Sequence, residues 1–182
     1  MGVFLWKKLS ELTAFSDIYF YRQGGVIMRT NVKKLIFSIG IPLIGGGIVG
    51  FITTGAGAYD GMVKPPLSPP GWLFPVVWSI LYIMMGIALY LVLISPQSDE
   101  VKSLSKRTFA SQLIINFLWP VIFFILKTYW AAVVTLGALI ILVIITIVDF
   151  RKSDKRAALL LVPYLLWCLF ALYLNIGVAI LN

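Results

Sequence analysis

The chain has 182 residues, of which 60% are apolar and 12% are charged, and its mean hydropathy is +0.99. This composition excludes an ordinary soluble domain and indicates an integral membrane protein. Histidine is absent and Cys168 is the one cysteine, so an internal disulfide, a thiolate metal cage and histidine-based catalysis are excluded. We expect no metal site and no required cofactor.

The first 30 residues are mixed in character, and they are predicted to be an N-terminal extension of unknown role. They contain no apolar stretch of signal-peptide length. One hypothesis is that translation begins at Met28, because residues 22–25 can be encoded by purine-rich codons that resemble a bacterial ribosome-binding site. Residues 31–182 are predicted to form one membrane domain.

Five apolar stretches follow, each long enough to cross a bilayer as a helix, which takes about 20 residues. They are residues 35–54, 74–93, 109–126, 130–148 and 157–181. None of them contains Lys, Arg, Asp or Glu, and each such charge near the membrane centre would cost at least about 2.5–3.5 kcal/mol. The sequence therefore predicts an all-α integral membrane protein, a bundle of five transmembrane helices.

The positions of the basic residues predict how this bundle is oriented. Thirteen of the 15 Lys and Arg residues precede the first stretch or lie in the second and fourth loops. Only Lys64 and Lys127 lie in the other two loops. The positive-inside rule then gives an N-in, C-out topology. The short helices and the lack of a cleavable presequence favour a bacterial cytoplasmic membrane. This asymmetry also explains the net charge of +8, so the lipid bilayer is an expected partner and nucleic acid is not.

Glycines crowd the first stretch, and Gly46-x-x-x-Gly50 places two of them on one helix face. Small residues at this spacing let helices approach closely within a membrane. Packing within the chain is the favoured interpretation, and a homodimer interface is the alternative.

A proline-rich loop, residues 64–72, connects the first two stretches. Proline fixes φ and lacks an N–H, so this loop is predicted to be rigid and not helical. The second stretch follows it directly and carries Trp78 and Tyr82 at i and i+4 on one face. Tyr59 and Lys64 are placed to close a pocket next to that face.

Two further stretches carry polar and aromatic side chains at spacings of three or four residues, so each set forms one stripe. The stripes are Gln112, Asn116, Trp119 and Phe123 in the third stretch, and Tyr164, Trp167, Ala171 and Asn175 in the fifth. Burying an amide without a partner costs roughly 2–7 kcal/mol, so both stripes should face the bundle interior. Pro120 is expected to kink the third helix beside them.

The interior stripes have a structural alternative, since interhelical amide bonds often only hold bundles together and tryptophans often only anchor helices. We favour anchoring for Trp72 and Trp130, which lie at helix ends, and pocket lining for Trp78, Trp119 and Trp167. Such a pocket offers flat rings and a few amide and phenol groups. It suits a planar, hydrophobic, weakly anionic molecule, and the stretches contain no nucleophile–base pair or paired carboxylates.

Separated motifs in the order of a known family support this interpretation. They include Lys64-Pro65, Pro69-Pro70-Gly71-Trp72, Gln112-Leu113-x-x-Asn116-x-x-Trp119, Pro163-Tyr164-x-x-Trp167 and Phe170-Ala171-x-Tyr173-Leu174-Asn175. In these motifs the chain resembles the TspO/translocator family, also called tryptophan-rich sensory proteins or peripheral-type benzodiazepine receptors. The resemblance implies a five-helix fold whose pocket binds protoporphyrin and other tetrapyrroles, isoquinoline-type drugs and, in mitochondrial members, cholesterol.

Three functions are expectations here, the first two as implied by the resemblance and the third as a competing hypothesis in which the pocket is incidental. The first is a sensor or translocator of porphyrin or haem-type ligands. The second is light-dependent oxidation of protoporphyrin IX, in which Trp78 and Trp167 match the tryptophans implicated in the family. The third is a structural or partner-organising role. The candidate ligand-binding residues are Tyr59, Lys64, Pro69, Trp78, Tyr82, Gln112, Asn116, Trp119, Phe123, Tyr164, Trp167 and Ala171.

The chain also departs from the family pattern. Ala58 stands where a tryptophan usually precedes the loop tyrosine, and Thr135 stands where an acidic residue is common in the fourth helix. No Lys or Arg follows Arg156, so a sterol motif that needs a basic residue after Tyr173 cannot form. This departure argues against sterol binding, which the sequence alone does not decide.

Overall fold

The computed structural model describes residues 17–23, 26–54 and 61–182. Its helices are α1 (Val32–Thr54), α2 (Leu73–Ile94), α3 (Asp99–Pro120), α4 (Tyr129–Ser153), α5 (Lys155–Leu160) and α6 (Val162–Leu181). Five helical segments are long and apolar enough to cross a membrane, and α5 and α6 together form the fifth. The predicted all-α bundle of five transmembrane helices is confirmed, whereas its N-in, C-out orientation stays a prediction.

A β-hairpin precedes the bundle, in a segment to which the sequence analysis assigned no structure. Strands β1 (Asp17–Gln23) and β2 (Val26–Asn31) pair antiparallel. Asn31 then connects the hairpin to the helices. Its Oδ1 accepts a hydrogen bond from the N–H of Lys34 at 3.0 Å, which caps α1, and its own N–H donates to the Tyr90 hydroxyl of α2 at 3.2 Å.

Around the bundle the helices follow the order α1, α2, α5 with α6, α4 and α3, and α3 returns to α1. The core between them includes Met85, Leu136, Phe150 and Tyr164, whose side chains are fully buried. We call the end that holds the start of α1 the basic end, because it also carries the basic α2–α3 and α4–α5 connections. The opposite end, which holds residues 61–72 and the end of α6, is the loop end.

Helix α3 begins at Asp99, ten residues before the start predicted from hydropathy. Ser98 caps it, since its side chain accepts a hydrogen bond from the N–H of Val101 at 3.4 Å. Asp99 and Glu100 add negative charge at the positive end of the helix dipole. Most of the predicted second loop is therefore helical, and an apolar-stretch criterion missed it because it is charged.

The fifth span is broken, which the sequence analysis did not predict. The break lies at Leu161, and Pro163 follows in the first turn of α6, where its missing N–H is tolerated. Asp154 caps the short α5 through a 2.7 Å hydrogen bond from the N–H of Arg156. Partial burial acts to raise the pKa of Asp154, but the hydrogen bonds and charge of Arg156 outweigh it and keep that pKa below its usual value.

Pro120 ends the regular part of α3. Val121–Ile125 continue it as a π-helical turn, in which the N–H of Leu126 donates to the carbonyl of Val121 at 3.0 Å. Such turns accommodate a disturbed hydrogen-bond pattern without ending the helix. Here the turn lets two consecutive rings, Phe123 and Phe124, both contact Trp119.

Two glycines decide how α1 lies on α2. A Cβ at Gly86 would collide with the Cα of Ile39 and lie 2.7 Å from the Ser38 carbonyl oxygen, so the two backbones touch there. A Cβ at Gly46 would collide with the Tyr82 ring. The favoured interpretation, packing within the chain, therefore holds for Gly46. Gly50 has open space around it, and a homodimer through this face stays a hypothesis.

We expect Gly86→Ala to destabilise the bundle, because the added methyl meets the backbone of α1, which cannot rotate away. Overpacking of this kind costs about 1–3 kcal/mol, which exceeds the preference of about 1 kcal/mol for alanine over glycine in a helix. The thermal midpoint in detergent micelles should fall. Gly137→Ala is the matched control, since nothing lies within 4 Å of its Cβ and its midpoint should hold or rise. An equal or higher midpoint for Gly86→Ala would show that α1 does not depend on this contact.

Candidate ligand-binding site

Four buried polar side chains from three helices form one hydrogen-bonded chain. The Tyr82 hydroxyl donates to Oδ1 of Asn116 at 2.7 Å, and Nδ2 of Asn116 donates to the Tyr164 hydroxyl at 2.9 Å. That hydroxyl donates in turn to Oε1 of Gln112 at 2.9 Å. Gln112 and Asn116 lie one turn apart on α3, so together they reach the phenols of α2 and α6. The stripes predicted from the sequence therefore do point inward together.

Aromatic rings cover one side of this chain. The half-buried Trp78 stacks on Tyr82 with ring centroids 5.5 Å apart and contacts Tyr164 edge-on at 6.1 Å. Trp119 lies 6.5 Å from Trp78 and stacks on Phe123 at 5.6 Å. Offset and edge-to-face contacts of this kind are the favoured geometries between aromatic rings. Trp78, Trp119 and Phe123 thus belong to one cluster with the polar chain.

Trp167 lies in a neighbouring group of rings. Its ring centroid is 6.0 Å from that of Phe74 and 5.5 Å from that of Phe170. Phe74 is one turn before Trp78 on α2, so Trp167 contacts the same helix nearer its start. Ala171 is buried one turn further along α6. Phe74 was not among the predicted ligand-binding residues, although its i, i+4 spacing to Trp78 indicates that the two rings share a helix face.

Several buried polar atoms beside the cluster have no hydrogen-bond partner among the described residues. They are Nε2 of Gln112, Nε1 of Trp119, Nε1 of Trp167 and both amide atoms of Asn175. An unpaired buried group carries a desolvation penalty of about 1–3 kcal/mol, so each gains from a ligand that offers the complementary atom. Asn175 was recognised as an inward-facing amide but was not among the candidate ligand-binding residues.

The proline-rich loop is fastened to the end of α6. Pro65 packs so closely on Gly177 that a Cβ there would lie 2.5 Å from the proline ring. The Tyr173 hydroxyl donates to the carbonyl of Pro66 at 2.9 Å. The Asn182 side chain accepts from the N–H of Val63 at 3.1 Å and donates to its carbonyl at 3.0 Å. The loop is thus held against the helix that carries Tyr164 and Trp167.

The remaining predicted residues are placed as follows. Lys64 and Pro69 are half-buried in the loop, whereas Tyr59 and the neighbouring Ala58 lie outside the described residues. Trp72 and Trp130 are exposed at helix ends, which agrees with the anchor interpretation.

The rings and amides of the site pack on one another. Two cavities, of about 420 and 480 Å³, lie at the basic end, and no candidate residue is among the residues that line them. The Trp78 ring, in contact with Tyr82 and Tyr164, thus lies directly against the hydrogen-bonded chain.

Comparison with known proteins identifies the family. The family model described as "TspO/MBR family" matches residues 38–181. The chain belongs to the TspO/MBR family. This match spans all the described candidate residues and every helix of the bundle except the first turns of α1.

Curated relatives agree with this membership. Tryptophan-rich protein TspO of Chlorobaculum tepidum is 43% identical over 124 residues, which are 68% of this chain and 78% of that protein. Tryptophan-rich protein TspO of Archaeoglobus fulgidus is 41% identical over 155 residues, 84% of this chain and 99% of that protein. Translocator protein of Bos taurus is 32% identical over 143 residues, 74% of this chain and 82% of that protein.

We expect Tyr164→Phe to destabilise this TspO/MBR bundle, because the lost hydroxyl leaves Nδ2 of Asn116 and Oε1 of Gln112 without their partner. Two interhelical bonds averaging about 0.6 kcal/mol each in a membrane predict a loss of about 1 kcal/mol. Thermal unfolding in detergent, followed by circular dichroism, measures it. Tyr129→Phe is the control, since no hydrogen bond of the Tyr129 hydroxyl is recorded with the described residues. Equal midpoints for the two variants would show that the chain of polar groups contributes no stability.

Proposed function

We propose that this protein binds planar, hydrophobic, weakly anionic molecules of the tetrapyrrole class between α2, α3 and α6, and that it acts as a membrane sensor or translocator for them. The observation that carries the proposal is the buried chain Tyr82–Asn116–Tyr164–Gln112 beside the ring of Trp78. Family membership and the name of the bovine relative, Translocator protein, support such a role.

The chemistry of the site matches such a ligand in two respects. Indole and phenol faces at the site suit stacking against a flat macrocycle. The unpartnered donors, Nε2 of Gln112 and the indole N–H groups of Trp119 and Trp167, suit its ring nitrogens and carboxylates. Lys64 adds positive charge in the loop. A sugar phosphate or a metal ion would find too few polar groups here to replace its hydration.

Entry of the ligand requires a local opening. The Trp78 ring contacts the rings of both Tyr82 and Tyr164, and the loop is tied to α6 through Tyr173 and Asn182. We therefore propose that the ligand separates the rings and that release of the loop precedes or accompanies its entry. The described hydrogen bonds between the loop and α6 are exposed to solvent, which favours release of the loop.

Light-dependent oxidation of protoporphyrin IX is a second candidate function. An excited porphyrin held against an indole can exchange an electron with it, and dioxygen would then serve as the terminal oxidant. The half-buried position of Trp78 favours this candidate, because part of its indole is accessible to a ligand stacked on it. Trp167 belongs to the neighbouring ring group and would contact another part of the same macrocycle.

A titration with protoporphyrin IX in the dark tests the main proposal. Quenching of tryptophan fluorescence should saturate with a micromolar Kd, about −8 kcal/mol. Trp78→Ala and Asn116→Leu should each weaken binding about tenfold or more, whereas Trp130→Ala, which removes an exposed ring at a helix end, should leave it unchanged.

The same titration repeated under illumination, compared with the one in the dark, separates the three functions. Light-dependent loss of the Soret band that Trp78→Phe or Trp167→Phe abolishes would favour the oxidation. Saturable binding without such loss supports the sensor or translocator. If binding does not saturate, the proposed site is contradicted and the structural or partner-organising role remains. The same holds if Trp130→Ala weakens binding as much as Trp78→Ala and Asn116→Leu do.

Weakening the loop should speed ligand association. Tyr173→Phe and Asn182→Ala remove the hydrogen bonds to Pro66 and Val63, and each bond contributes about 0.5–1.5 kcal/mol. The association rate measured by stopped-flow quenching should therefore rise about threefold or more. Ser79→Ala is the control, because its hydroxyl bonds only within α2, to the carbonyl of Pro75. An unchanged rate in both loop variants would show that entry does not pass the loop.

A further inference from the structure

The cavity of about 420 Å³ at the basic end lies between α1, α2 and α3. Its walls are almost wholly apolar. They are formed by Phe37, Ile41, Leu89, Leu93, Phe109 and Leu113. Its volume falls within the range of about 300–1,000 Å³ that small-molecule sites occupy. Phe37 and Ile41 are 73% and 53% exposed on the lipid-facing side of α1, so the cavity opens toward the membrane.

Three lysines and one buried hydroxyl make this cavity different from an ordinary gap between helices. Lys33 and Lys34 in the first turn of α1 and Lys106 on α3 line it and are exposed. Within the described ranges, no carboxylate pairs with any of the three or lines the cavity. Ser38, also in the lining, is 2% exposed, and its hydroxyl has no described hydrogen-bond partner. The three ammonium groups and the Ser38 hydroxyl therefore offer positive charge and a hydrogen-bond donor to an anionic group.

We propose that this cavity binds one anionic phospholipid, with its phosphate at Lys33, Lys34 and Lys106 and an acyl chain along the apolar walls. Charge complementarity supports the headgroup, since basic pockets between transmembrane helices attract anionic lipid headgroups. The lateral opening supports the chain, because a lipid enters from the bilayer without crossing water. A free phosphate would satisfy the lysines but leave the apolar walls uncovered.

The lipid site is independent of the proposed ligand site. It lies at the basic end, and none of its lining residues belongs to the hydrogen-bonded chain or the ring cluster. Failure of porphyrin binding would leave the lipid proposal intact, and the reverse also holds.

Native mass spectrometry of the full chain in detergent tests the proposal, using phosphatidylglycerol and phosphatidylcholine with identical acyl chains. Phosphatidylglycerol should bind about tenfold or more tightly than phosphatidylcholine. The triple variant Lys33→Gln/Lys34→Gln/Lys106→Gln should lose that preference, since each lysine near a lipid phosphate contributes about fivefold. Ala110→Trp, which places a large ring in the lining, should weaken binding of both lipids.

The matched control is Lys102→Gln/Arg151→Gln/Lys155→Gln, which removes the same charge from the basic end without touching this cavity. It should keep the preference. If both triple variants lose the preference for phosphatidylglycerol equally, the preference comes from general charge and the proposal is overturned. An unchanged preference in the Lys33/Lys34/Lys106 variant would overturn it as well. If inorganic phosphate competes as well as phosphatidylglycerol does, the ligand is a free anion and the lipid assignment is wrong. Circular dichroism of each variant confirms that the bundle is folded.

Discussion

Inside a bilayer a buried polar group has no water to bond, and this constraint governs the centre of the molecule. Asn116 illustrates it, because its amide is both acceptor to Tyr82 and donor to Tyr164. One side chain of α3 thereby joins α2 to α6. Nε2 of Gln112 and both amide atoms of Asn175 are buried without a hydrogen-bond partner among the described residues. The hydrogen bonds that join the helices thus lie beside buried amide atoms that have no partner among the described residues.

The two ends of the bundle differ in chemistry, although both are built on α3. Toward the loop end the interior carries aromatic rings and amides, and a proline-rich loop is held against the end of α6. At the basic end a lysine-rimmed, apolar cavity opens toward lipid. Neighbouring positions on α3 serve the two regions, since Gln112 bonds Tyr164 while Leu113 lines the cavity. A single helix thus contributes residues to both the proposed ligand site and the proposed lipid site.

Much of this arrangement was readable from the sequence, because transmembrane length and polar periodicity are local properties. The stripe from Gln112 to Phe123 was predicted inward, and it lies there. Other features depend on nonlocal geometry. The collision that makes Gly86 necessary is with α1, and nothing near Gly86 in sequence reveals it. That the rings of the site pack on one another was likewise unpredictable. Residue spacing gives the direction in which a side chain points, but not which atoms lie in front of it.

Gly46 gives α1 an influence on the site to which it contributes no polar atom. The Tyr82 ring rests directly on this glycine, and the hydroxyl of the same ring begins the hydrogen-bonded chain at Asn116. A larger residue there would push the phenol sideways and alter its distance from α3. Helix α1, the most lipid-exposed helix of the bundle, thus determines through Gly46 how the buried Tyr82 hydroxyl is aligned with Asn116.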